Sequence, residues 1–196
     1  MSQQNDAQAL RKSLAEAGLV PGPAASLVPE DFSPSTQLAI KFGDRLIELG
    51  TFFRASECKA APSVSFAPEA NSTESSTYML LLIDPDAPTP DDPKFAFWRH
   101  WVVSGLRPDA APASNEGSPS VLTEFLGPGP KDESAPHRYL FLLFREPQSL
   151  SLAKDDVGGE EFVQRRSFDA AKFVSSNGLQ LVAVNWMLCA GDGWTA

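Results

Sequence analysis

The run Tyr78-Met79-Leu80-Leu81-Leu82-Ile83-Asp84 constrains this chain more than any other segment. It is almost unbroken in apolar character, too short for a buried helix, and ends on a carboxylate. A strand that is apolar on both faces has to be covered on both faces. The run is therefore expected at the centre of a sheet, with a layer above it and a layer below. With 196 residues, 42% of them hydrophobic and 21% charged, the chain has the material for one such core. A single domain over 1–196 is the expectation.

The remaining sequence alternates short strand-like runs with Pro and Gly clusters. Residues 38–42 and 46–49 flank Gly43-Asp44-Arg45 and predict a hairpin, and 99–104, 138–144 and 180–188 predict further strands. Ahead of them Ala7, Leu10, Leu14 and Ala17 recur at helical spacing, with Asn5 and Gln8 as a capping pair and Gly18 and Pro21 as the stop. Pro21, Pro23, Pro29 and Pro34 then predict an extended surface connector, so 1–34 reads as a helix and a proline-rich lead into the β core. A second helix is predicted from 168 to about 176, capped by Ser167 and closed by Asn177-Gly178. Residues 60–76 and 107–120, rich in Ser, Pro, Ala and acids, predict mobile loops. The fold class is mainly β, a two-sheet antiparallel β-sandwich with a few peripheral helices.

Chemistry gathers where the apolar run ends. Asp84-Pro85-Asp86-Ala87-Pro88 fixes φ at two prolines around two carboxylates, and a cis bond at Ala87-Pro88 is one way to do so. Taken alone it reads equally as an acidic turn whose aspartates accept backbone N–H groups. The chain has only two histidines, His100 in WRHWVV and His137 at the head of HRYLFLLF. Strand alternation puts Trp98 with His100 on one face and His137 with Tyr139 on one face, with Arg99, Trp101 and Arg138 opposite. Gly127-Pro128-Gly129-Pro130, ahead of Lys131, supplies rigid walls and close backbone approach. Imidazole N–H, the Tyr139 hydroxyl and loop amides are the donors a phosphate-like anion needs. Asp84 is expected to favour the protonated form of a nearby histidine, and so tighter anion binding at mildly acidic pH.

Several classes are disfavoured. A formal charge of −9 and a pI near 4.7 oppose a nucleic-acid surface. No apolar run approaches the roughly 20 residues of a membrane helix, and MSQQNDAQALRKSLAEAG lacks the apolar core of a secretory signal. A cytoplasmic monomer is expected. Cys58 and Cys189 are expected as free buried thiols, with a disulfide left open. Two histidines and an aspartate are the raw material of a catalytic zinc, but HxxxH and HExxH spacings are absent and no G-x-S-x-G is present. No catalytic residue, metal or cofactor is expected.

DPDAP at 84–88, W-x-H at 98–100, the GP-rich loop and HRY at 137–139, in this order, resemble the phosphatidylethanolamine-binding protein (PEBP) family. RRSFDAAKF at 165–173 and VAVNWM at 182–187 extend the likeness to about 34–188, and the fungal carboxypeptidase Y inhibitor branch resembles the chain most. The resemblance implies a two-sheet Greek-key β fold with a small pocket for phosphate-like anions or phospholipid headgroups. It assigns that pocket to Asp84, Pro88, Trp98, His100, Pro128, Pro130, His137 and Tyr139, with Asp86 and Arg138 as structural motif residues. It implies as partner a serine carboxypeptidase, inhibited through the N-terminal Ser2 and Gln3, and with it a vacuolar share of the protein. A phospholipid-binding modulator of kinase or Ras signalling is the alternative, and a metal-dependent hydrolase the least favoured. The chain departs from the family after Lys131, where Asp132-Glu133-Ser134-Ala135-Pro136 replaces a glycine-rich run. Two acids at the pocket rim are expected to oppose a phosphate.

Overall fold

The computed structural model describes residues 3–108 and 118–196. Its elements are α1 (Gln3–Glu16), β1 (Leu38–Phe42), β2 (Arg45–Leu46), β3 (Thr51–Arg54), β4 (Ser63–Phe66), β5 (Tyr78–Asp84), β6 (Trp98–Leu106), β7 (Ser120–Thr123), β8 (His137–Arg145), α2 (Ala170–Ser176) and β9 (Gln180–Ala190). Six strands form one sheet in the order β3-β9-β8-β5-β6-β7, and three form a second in the order β2-β1-β4. All pairs are antiparallel except β3 with β9, which is parallel.

The apolar run is β5, buried at every position and flanked by β6 and β8. Its alternate residues feed two cores. Tyr78, Leu80 and Leu82 join Tyr139, Phe141 and Leu143 against Ile40, Phe42, Phe53 and Phe66. Met79, Leu81 and Ile83 join Leu140, Leu142 and Phe144 against Leu10, Leu14, Val20, Leu27, Val28 and Phe173. Each such side chain, taken from water, contributes roughly 1.5–3 kcal/mol, which is why the strand needs both layers.

The N-terminal segment is that second layer. The helix begins at Gln3, so Asn5 lies inside it and does not cap it. Ala7, Leu10 and Leu14 are buried as their spacing predicts, and Ser13 Oγ accepts the Trp186 indole N–H at 2.9 Å. The expected extended connector is instead a chain of tight turns, with Ala24 N–H bonded to Leu19 O and Val28 N–H to Ala24 O. Its prolines sit between apolar residues that must reach the sheet, and Ala24, Leu27 and Val28 are buried there.

Other expectations are corrected in detail. The hairpin partner of β1 is only Arg45–Leu46 long, because the chain leaves the sheet after Ile47 N–H bonds Ile40 O. The region expected as a mobile loop at 60–76 contains β4, paired with β1, and Glu69. That buried carboxylate accepts from Ser35 Oγ at 2.5 Å and Tyr78 Oη at 3.0 Å and pairs with Arg145 at 3.2 Å. Of the second expected loop, Ser120 already belongs to β7, and 109–117 lie outside the described residues. The second helix starts at Ala170, with Asp169 Oδ1 accepting Lys172 N–H at 3.0 Å; Ser167, at φ +51°, stands before it and does not cap it. Gly178, at φ +60°, follows its end as expected. Cys58 and Cys189 are buried and unbridged.

Candidate functional site

Antiparallel pairing explains how three separated motifs meet. The C-terminal end of β5 coincides with the N-terminal ends of β6 and β8 because both neighbours run opposite to it. Asp84 pairs directly with Trp98, and His137 stands three residues before Leu140, the partner of Ile83. On β6 the register slips between Leu82–Trp101 and Ile83–Arg99, which leaves His100 as the extra residue of a β-bulge.

At this sheet end lies a cavity of about 490 Å³, lined by Asp84, Pro88, Trp98, His100, Pro130, His137 and Tyr139 among others. Of the residues the resemblance assigns to the pocket, Pro128 is the exception. It is buried but outside the lining, and its neighbours Gly127 and Gly129 face the cavity in its place. Gly127 is required by packing, since a Cβ there would stand 2.5 Å from the Cys58 carbonyl oxygen. The Ala87-Pro88 bond is cis.

The two histidines are held differently. His137 Nδ1 lies 2.8 Å from Asp84 Oδ2, and its Nε2 lies 3.0 Å from Ser134 Oγ. A carboxylate only accepts, so Nδ1 carries the hydrogen. The other Asp84 oxygen accepts the Asp86 N–H at 2.7 Å. Ser134, His137 and Asp84 thus stand in the order of an acyl-transfer triad. Ser134, however, is buried outside the cavity lining, and its N–H is bonded to Lys131 O. The relay orients an imidazole and offers no reachable nucleophile.

His100 Nδ1 lies 2.7 Å from Leu126 O, so it too carries the hydrogen there and Nε2 is left as the free ring nitrogen. Burial is the largest influence and pushes this imidazole below its ordinary 6.5, against the pull of Asp84 and of the Leu126 carbonyl. Asp84 does favour the protonated form of this histidine, as expected, but desolvation outweighs the carboxylate. Tyr139 is pushed well above its ordinary 10.0 by burial first and by the Asp84 charge second, which leaves its O–H as a fixed donor.

Asp86 and Arg138 do not line the cavity. Arg138 donates from Nε to Asp86 Oδ2 at 2.9 Å, from Nη2 to Oδ1 at 2.5 Å, and from Nη1 to Ala17 O at 2.9 Å. Asp86 also accepts the Arg138 N–H at 2.7 Å. The pair ties the end of α1 to the rim of the sheet. Ser2 lies outside the described residues, and Gln3 opens α1.

The acidic rim is not where the sequence suggests. Lys131 lines the cavity, whereas Asp132 and Glu133 do not. Asp132 Oδ1 accepts the Gly193 N–H at 2.9 Å, and a Cβ at Gly193 would stand 2.6 Å from Oδ2. The C-terminal turn packs against this carboxylate.

Four lining residues were not assigned to the pocket from the sequence: Phe95, Leu126, Phe162 and Arg166, the last within the RRSFDAAKF run. Buried arginines place the last two. Arg99 donates to Thr123 Oγ1 at 2.7 Å and to Val157 O and Gly159 O, and Arg165 donates to Glu124 O at 2.8 Å and His100 O at 3.2 Å. Both bind the 157–166 segment against β6 and β7. Among the described residues, no three His, Cys, Asp or Glu side chains form a metal-binding group, and no helix is long and apolar enough to cross a membrane.

Comparison with known proteins gives a consistent family. The carboxypeptidase Y inhibitor of Saccharomyces cerevisiae is 26% identical over 188 residues, covering 79% of this chain and 84% of that protein. Putative odorant-binding protein A5 of Drosophila melanogaster is 28% identical over 150 residues, 75% of this chain and 67% of that protein. Among solved structures, carboxypeptidase Y inhibitor complexed with its cognate proteinase superposes with a TM-score of 0.76 at 22% identity, covering 95% of this chain and 97% of that one. The phosphatidylethanolamine-binding protein of Plasmodium vivax gives 0.73 at 21% identity, covering 93% and 97%. The family model for phosphatidylethanolamine-binding protein matches residues 30–186, and the chain belongs to that family.

Proposed function

We propose that this protein works by binding rather than catalysis, holding a phosphate-like anion or a phospholipid headgroup in the cavity at the end of β5, β6 and β8. The observation that carries the reading is the set of unspent donors on its wall. The Tyr139 hydroxyl has no protein acceptor among the described residues, and neither Lys131 nor Arg166 makes an ion pair there. Asp84, the carboxylate of the lining, is occupied by His137 and by the Asp86 N–H. In a chain of net charge −9, this wall offers donors and positive charge. Such an arrangement binds anions by charge-assisted hydrogen bonds. Family membership supports a binding role, since PEBP proteins are generally non-catalytic. Calorimetric titration with inorganic phosphate tests it: one-to-one saturable heat is expected, and none up to about 10 mM, a Kd beyond useful binding, overturns it.

A second reading has the protein inhibit a serine carboxypeptidase, with the anion pocket beside the contact. Its support is the likeness to the yeast carboxypeptidase Y inhibitor in sequence and fold. Ser2 and Gln3 are its proposed inhibitory residues, and inhibition assays decide it.

A further inference from the structure

Building on the anion reading, we infer that Arg166 occupies the cavity's aromatic box itself, so that the pocket selects phosphomonoesters without an attached ammonium over phosphoethanolamine-type groups. The Arg166 guanidinium carbon lies 4.5 Å from the centroid of Phe95, 5.8 Å from Trp98 and 5.9 Å from Phe162. Trp98 and Phe162 close the box, 4.8 Å apart edge to face. All four residues line the cavity.

Two features make this cation ligand-directed. Arg166 makes no hydrogen bond or ion pair among the described residues, and its Nε is buried without an acceptor. The Trp98 indole N–H, in the same box, is likewise buried and unpartnered. Buried donors without partners are uncommon and cost free energy until something accepts from them. Both are donors, so an acceptor-rich group is what completes the wall. An arginine fork matches phosphoryl oxygens in pairs, and ring faces orient it without neutralising it.

The selectivity follows from occupancy. Aromatic boxes of this kind hold ammonium groups in other settings through their ring faces. Here the faces are taken by the guanidinium. An ammonium carried on the ligand meets a like charge at Arg166 and another at Lys131, while the phosphoryl end meets both favourably. About 490 Å³ leaves room beyond the phosphoryl group for an organic substituent against Pro88, Pro130 and Phe162.

Titration calorimetry of the full chain at neutral pH, with phenyl phosphate and O-phosphoethanolamine as probes, tests this. The wild type is expected to bind phenyl phosphate about tenfold or more tightly. Arg166→Gln is expected to lose about tenfold for phenyl phosphate and under about threefold for phosphoethanolamine, collapsing the ratio. Phe162→Ala, at a site 57% exposed and so tolerant of change, should narrow the ratio by loosening the box. An unchanged ratio in both variants, or a wild-type preference for phosphoethanolamine, overturns the inference and leaves the anion reading standing. A wild type that binds neither probe overturns both.

Discussion

Asp84 Oδ2 and His137 Nδ1 meet at 2.8 Å with both side chains almost wholly withdrawn from solvent. The contact joins the end of β5 to the start of β8. Replacing Asp84 by Ala removes the acceptor of the imidazole N–H and of the Asp86 N–H together. Asp84→Ala is expected to destabilise the fold by about 3 kcal/mol, and Asp84→Asn by about half of that because the amide oxygen still accepts. Urea unfolding monitored by tryptophan fluorescence measures both. A loss for Asp84→Ala within about 0.5 kcal/mol of zero contradicts the role given to the pair.

Arg138 is expected to resist its usual conservative exchange. Lysine cannot span Asp86 and the Ala17 carbonyl at once, so Arg138→Lys should cost about 1–3 kcal/mol and loosen α1 from the sheet. Limited proteolysis should then cut within 17–30 sooner than in the wild type. Unaltered cutting would show that α1 is held by its apolar face alone.

For His100 the sign of the pH effect is set by burial. Its folded pKa lies below the ordinary 6.5, so the unfolded chain binds the proton first as pH falls. Its contribution is present above about 6.5 and is lost as pH falls through the folded value. Stability of the wild type should decline as pH falls below about 6.5, and His100→Gln should decline less. Parallel curves for the two proteins would place the pH dependence elsewhere.

Tyr139→Phe removes one donor and leaves the ring. Phosphate affinity is expected to fall about five- to tenfold, with thermal stability nearly unchanged since the hydroxyl has no partner among the described residues. Calorimetry and a melting curve separate the two effects. Equal affinity in the variant would remove Tyr139 from the binding set.

If the inhibitor reading holds, deleting residues 2–6 should abolish inhibition of a serine carboxypeptidase while phosphate binding persists. Hydrolysis of a blocked dipeptide substrate reads the first and calorimetry the second. Failure of the full-length protein to inhibit ends that reading without touching the pocket.

The site was legible in so far as it lies on strands. An apolar run that must be central, bordered by antiparallel neighbours, brings DPDAP, W-x-H and HRY to one end on geometry alone. The 157–166 wall was not legible, because what places it is the donation of Arg99 and Arg165 to backbone carbonyls far away in sequence, which no local pattern reveals. The same holds for β3 and β4, short edge strands of mixed residues whose pairing is fixed by what lies across from them. The proline-rich lead misled for a related reason. Prolines forbid a regular ladder but permit turns, and the buried Leu27 and Val28 decide between an extended path and a folded one.

The bond between Asp132 and the Gly193 N–H crosses 61 positions of sequence. It ties the residue that follows the cavity-lining Lys131 to the segment after β9. A tag, a fusion or proteolytic trimming beyond β9 therefore acts on the loop after Lys131 through a single carboxylate contact, and loss of Gly193 would leave Asp132 Oδ1 without that donor.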